Sequence, residues 1–266
     1  MAGYRLCRVR AAEIPFFIES ISTNIYTIEE LCFFLHNNIP LIDASIMNRE
    51  LTRWVAQGLG LTKLSVTMEQ ALARQAEVSD FVMPVFREIG YLTTTELASF
   101  AKSLSEFSRL PLHLRLKMKG DALVRGGKYQ AAIRSYRRII EDSGEYNFRP
   151  EFLSGVWYNC GVAEMKLMLF EEGLRGFTRA YDLHPTKLHA RACMRALAVT
   201  KPAGKFSEAL EEIRSRHRED GFLSEELREE TLEVVGIAER GADTSIPEDL
   251  TKCVQSWMRE YRNATG

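Results

Sequence analysis

No apolar run in the chain approaches the roughly 18 to 20 residues that a helix needs to cross a bilayer, so no membrane span is expected. Neither sign of charge is in excess. Against 36 Asp+Glu stand 35 Lys+Arg, a net charge of -1, and this removes the general cationic surplus on which nonspecific nucleic-acid or anionic-membrane binding relies. Cysteine is sparse and odd in number. Cys7, Cys32, Cys160, Cys193 and Cys253 never stand two or three residues apart, which argues against a disulfide framework or a zinc knuckle and for reduced, mostly buried thiols. The apolar stretch behind Arg5, Arg8 and Arg10 is broken by Glu13, Pro15, Glu19 and Asn24, too early for a secretory core. A cytoplasmic protein is the expectation.

Signatures of catalysis are missing as well. No Gly-x-Ser-x-Gly string occurs. Gly126-Gly127-Lys128 lacks the rest of a phosphate loop, because Asp121 or Ala122 and Tyr129 occupy the positions where that loop needs Gly and Ser or Thr. His189 and Cys193 lie four apart, with His184 nearby, but lack a carboxylate or second thiol to complete a zinc site. The acidic pairs Glu171-Glu172, Glu211-Glu212, Glu225-Glu226 and Glu229-Glu230 read as helix exteriors, with no sign of the cleft that would shift their pKa values. Neither an enzyme nor a bound cofactor or metal is expected.

What is there is an ordinary folded chain of 266 residues, 45% hydrophobic and 27% charged, long enough for two modest helical cores. Its charge is unevenly placed. From His113 to Ile140, Arg115, Lys117, Lys119, Arg125, Lys128, Arg134, Arg137 and Arg138 face Asp121 alone. From Glu208 to Asp249, 14 acidic residues face five arginines. Solvated helix faces account for such blocks, and so does a basic surface that attracts an acidic partner.

Strand-like signal is confined to the stretch before Tyr26, in Tyr4–Arg10 and in Phe16-Phe17-Ile18 with Ile21 and Ile25. It alternates poorly, so the segment 1–25 is expected to be irregular. Everything after reads as helix. Thr27-Ile28-Glu29-Glu30 has the form of a capping box, with Ile28, Leu31, Cys32 and Leu35 at helical spacing and Asn37, Asn38 and Pro40 as a stop. Further helices are expected over 48–57 with Leu51, Trp54 and Val55 inward, over 62–76, over 79–89 behind Ser79, and over 94–107 behind Thr93. The stretch 26–110 thus forms an expected helical domain. Its strings TIEELCFFLHNN and LTRWVAQGLGL resemble helical domains at the front of uncharacterised bacterial proteins, a resemblance that implies no function. The helix expected over 48–57 carries only Arg49 and Arg53 with Glu50 between them, which argues against a DNA-reading helix.

Self-similarity begins at residue 114. Gly120 is followed by Ala132 at plus 12 and Tyr136 at plus 16; Gly161 is followed by Gly173 at plus 12, Phe177 at plus 16, Ala180 at plus 19 and Pro185 at plus 24, with Trp157 four before it. This pattern resembles the tetratricopeptide (TPR) repeat, a pair of antiparallel helices in which a small residue permits close crossing and an aromatic fills the space beside it. The chain departs from that pattern in three places. The spacing from Gly120 to Gly161 is longer than the family period, with the insertion near Asp142 to Pro150, and Ile139 stands where the family prefers Ala, a sign of looser packing. A third unit over about 187–217 keeps Phe206, Ala209, Leu210 and Ile213 but puts Arg195 at the small position. The implied fold is all-α: a helical domain, a short TPR-like α-solenoid over 111–220, and capping helices in 221–266, at about 224–239 and 247–262.

In the tetratricopeptide family the first helix of each hairpin lines a concave peptide-binding surface. Carried over, the resemblance implies groove positions Lys117, Asp121, Val124 and Arg125 in the first hairpin, and Tyr158, Val162, Met165 and Lys166 in the second with Asn159 beside them. Members that clamp a peptide carboxylate have Asn where this chain has Asp121, so that activity is not expected. The implied function is a noncatalytic scaffold or adaptor that holds a protein or peptide segment of some acidic character. Two alternatives stay open: a regulator that touches nucleic acid through its N-terminal helices or basic first hairpin, and a groove filled by the chain's own N-terminal domain or tail.

Overall fold

The computed structural model describes residues 10–43 and 45–200, together with Lys205, Glu208, Glu211–Ile213 and Ser215. The expected helices at 224–239 and 247–262, and Phe206, Ala209 and Leu210 of the third unit, lie outside the described residues. The described chain is mostly helical and divides into two compact units between Phe148 and Arg149. Among the described residues, no helix is long and apolar enough to cross a membrane.

The first unit opens with a departure from the all-helical expectation. Strands β1 (Phe16–Ile18) and β2 (Thr23–Ile25) pair antiparallel, with Phe17 opposite Asn24. Phe16, Ile18 and Ile25 turn inward while Phe17 turns out. Such an alternation is hard to read in sequence, because each strand has only three residues and Ile21 belongs to the connecting 3-10 turn, Glu19–Ile21.

Helix α1 (Ile28–Asn37) begins as its capping box dictates: the Thr27 hydroxyl accepts the Glu30 amide at 3.2 Å while the Glu30 carboxylate accepts the Thr27 amide at 3.0 Å. The same reciprocal arrangement of Thr93 and Glu96 opens α5 (Thr94–Arg109). Between them, α2 (Arg49–Arg53) is capped by Asn48, whose side chain accepts the Leu51 amide at 2.8 Å. It then widens into a π-helical turn, Trp54–Gly58, closed by a Leu59 amide to Trp54 carbonyl bond. Helix α3 covers Thr62–Ala73, and α4, Val78–Ile89, starts one residue before Ser79 with Glu77 at its cap and no side-chain bond there. Ile28, Leu31, Cys32, Leu35, Leu51, Trp54 and Val55 are all buried.

Helices α6 (Leu112–Arg125) and α7 (Tyr129–Glu141) belong to this same unit. One tie to the preceding chain is Lys119, whose ammonium donates to the Asp43 carboxylate at 2.6 Å. Burial alone would raise the Asp43 pKa; the Lys119 and Ser45 hydrogen bonds and the Lys119 charge outweigh it and hold the carboxyl below its ordinary value.

In the second unit α8 (Pro150–Lys166) and α9 (Phe170–Leu183) make an antiparallel pair, followed by α10 (Lys187–Thr200). Leu174, Phe177 and Tyr181 of α9 bury against Ala190, Cys193, Met194 and Leu197 of α10. Arg195, at the position where the repeat asks for a small residue, is exposed.

Candidate functional site

When Gly120 is aligned with Gly161, the backbone hydrogen bonds of the two helical hairpins coincide. At the first turn the Gly127 amide donates to Val124, the Lys128 amide to Leu123 and the Ala132 amide to Lys128. At the second the Met168 amide donates to Met165, the Leu169 amide to Glu164 and the Gly173 amide to Leu169. Both are Schellman closures, in which a left-handed residue lets two amides satisfy the last carbonyls of a helix. That residue is Gly127 at φ 71° in one hairpin and Met168 at φ 61° in the other.

The helix crossings correspond too. A Cβ on Gly120 would lie 2.5 Å from the Tyr136 ring, and one on Gly161 would lie 3.0 Å from the Gly173 carbonyl oxygen and 3.1 Å from the Phe177 ring. These are the plus-12 and plus-16 partners that the sequence spacing singles out. Ile139, expected to loosen its surroundings, is fully enclosed, as is Ala180 at the corresponding place.

The structure then separates the candidate groove residues by what they touch. Lys117 donates to Asp121 at 2.8 Å, and the other Asp121 oxygen accepts the hydroxyl of fully buried Tyr136 at 2.7 Å. The carboxylate at the position where a peptide clamp has Asn thus bridges the two helices of its own hairpin. Val162 and Phe177 replace Asp121 and Tyr136 in the second hairpin, an apolar pair where the first has a polar one. Val124 is half-buried and Arg125 exposed.

In the second unit Tyr158, Val162 and Met165 are half-buried and packed against the α9–α10 core, with the Tyr158 ring 5.4 Å from both Phe177 and His189. Met165 also fills the space above Gly173, where a Cβ would come within 2.6 Å of its sulfur. Asn159 is half-buried and Lys166 exposed. Arg125 and Lys166 are equivalent in the alignment, so each hairpin presents an exposed cation at the same position, immediately before the turn. Each half of the candidate surface lies in its own unit.

His189 is a core residue. Its Nδ1 lies 2.8 Å from the His184 carbonyl, which can only accept, so that nitrogen carries the proton. Ser154, fully buried, donates to the Ala180 carbonyl at 2.9 Å and has its Oγ 3.3 Å from His189 Nδ1. Burial lowers the His189 pKa. Cys32 and Cys193 are buried thiols pushed up to about 12 by that burial, and such thiols stay protonated and unreactive at neutral pH. Among the described residues no three His, Cys, Asp or Glu side chains are grouped to hold a metal ion.

The first unit also holds a cleft that no motif announces. It has a volume of about 1020 Å³ and lies between β1 and the π-helical turn, walled by Phe16, Phe17, Ile18, Trp54 and Gly58. The Trp54 indole donates to the Ile14 carbonyl at 2.9 Å and its ring lies 5.8 Å from Phe16, which joins the two walls. Its signal in the sequence is weak, because the residues come from two segments well separated along the chain. Comparison with family models, with characterised proteins and with solved structures finds no match for this chain.

Proposed function

We propose that this protein is a noncatalytic protein-binding scaffold whose tetratricopeptide-like hairpins hold a peptide segment of acidic character. The observation that carries the reading is the repetition, at one fixed offset, of turn, crossing and exposed cation: Gly120 with Tyr136 and Arg125, Gly161 with Phe177 and Lys166. Each hairpin on its own presents an exposed cation beside its turn, which suits the carboxylates of an acidic peptide segment. Arg125 and Lys166 are the ligand-contacting residues favoured by this reading, since both are exposed and neither holds its hairpin together. Lys117 and Asp121 are tied to each other and to Tyr136 within the first hairpin.

The test is fluorescence anisotropy of the full chain against acidic and neutral peptide libraries. Arg125→Glu with Lys166→Glu should weaken the selected peptides at least tenfold, since like charges across a contact repel. Unchanged affinity, or selection of no acidic peptide, overturns the assignment. A second reading rests on α7, which turns Arg134, Arg137 and Arg138 to solvent; contact with a nucleic acid there would show as duplex binding that falls steeply with salt.

A further inference from the structure

The cleft of the first unit has an unusual wall. Three consecutive residues, Phe16, Phe17 and Ile18, line it, whereas the face of a sheet presents only alternate residues because side chains point up and down with period two. The cleft is therefore bounded by an edge of β1. Among the described residues β1 pairs only with β2, so its second edge has no strand neighbour there. Such an edge offers a row of backbone donors and acceptors to any extended chain that reaches it.

The rim says what that chain should carry. Phe17 is 50% and Ile14 78% exposed, two large apolar side chains beside this edge, which suits alternate apolar residues in a partner. Arg10 and Glu13 neutralise one another at 2.6 Å. Glu19, Glu50 and Arg53 also line the cleft, all exposed and without an ion-pair partner among the described residues, which leaves the rim one carboxylate in excess. Opposite the edge, the π-helical turn widens α2 where Trp54 is tied to Ile14, and insertions of this type recur at functional sites.

We propose that this cleft binds an extended peptide with alternating apolar and basic residues, which adds to the sheet as a third strand along the edge of β1 that has no strand neighbour among the described residues. The site is separate from the hairpin surface, and its ligand has the opposite charge.

The test uses the full chain and short fluorescein-labelled peptides that alternate valine with lysine, with glutamate or with serine, read by anisotropy. The lysine series should bind tightest. Methylating the amide nitrogens of alternate residues should weaken it at least tenfold, since each methyl removes a strand donor, and methylating the other set should do less. Phe17→Ser should cost at least fivefold, and Glu50→Lys should move the preference from lysine to glutamate. Arg179→Glu, at an exposed position of α9 in the other unit, serves as the control and should leave binding unchanged. No saturable binding by any series, equal binding after either methylation pattern, or wild-type affinity in folded Phe17→Ser and Glu50→Lys chains overturns the proposal.

Discussion

Asp121 has partners that its place in the sequence pattern does not announce. The Tyr136 hydroxyl, fully buried, needs an acceptor, and the Asp121 carboxylate supplies it while holding Lys117. Removing one partner of a buried hydrogen bond costs about 1–3 kcal/mol, while replacing both with apolar groups can be nearly neutral. The second hairpin already has that replacement, in Val162 and Phe177. Tyr136→Phe and Asp121→Val should each lower the urea midpoint, and the double variant should be more stable than the sum of the two predicts; strict additivity in the cycle would show that the pair is not coupled. His189 makes a prediction in pH. Because its folded-state pKa lies below the ordinary value, the folded chain binds fewer protons than the unfolded one as pH falls past about 6.5. Stability is then full above that pH and declines on acidification until the folded-state pKa is passed. Denaturation of wild type and His189→Gln from about pH 8 to about pH 5 should give curves that converge in acid; curves that stay parallel would remove His189 as the cause.

At the scale of the element, the two hairpin turns differ in one costly respect. Both closures need a left-handed residue, and the first has Gly127 while the second has Met168 at φ 61°. A residue with a Cβ in that region costs roughly 1–2 kcal/mol, and glycine gives back about 0.5–1 kcal/mol of that through its freedom in the unfolded chain. The Met168 side chain is 66% exposed, so little packing is lost with it. Met168→Gly should therefore raise the melting temperature of the second unit, and Gly127→Ala should lower that of the first. Calorimetry of both variants checks the pair. A fall on Met168→Gly would mean that the side chain contributes more than its exposure suggests.

For the whole molecule, what is legible in advance is what rests on local rules. The Thr27 and Thr93 caps, the buried faces of α1 and α2, and the Gly to aromatic intervals each depend on residues within one helix or one helical hairpin, and each stands in the structure. The paired strands and the cleft they bound depend on contacts of Phe16 and Ile14 with Trp54, far along the chain, and strands so short give too little periodicity to announce them. The division between units falls in a stretch with a local reason of its own. Gly144 to Asn147 are exposed, with Tyr146 at 57%, and the Glu145 and Tyr146 amides bond back to Asp142. The turn at Leu167–Leu169 carries exposed residues too, but it is closed by the Schellman bonds. Proteases favour exposed segments whose backbone can unfold locally. Brief digestion with chymotrypsin should accordingly make its first cut, among the described residues, after Tyr146, giving fragments that end at Tyr146 and begin at Asn147 by mass spectrometry. Earlier cleavage at Met168 or Leu169 would show that the hydrogen-bonded turn opens more readily than the connection between the units.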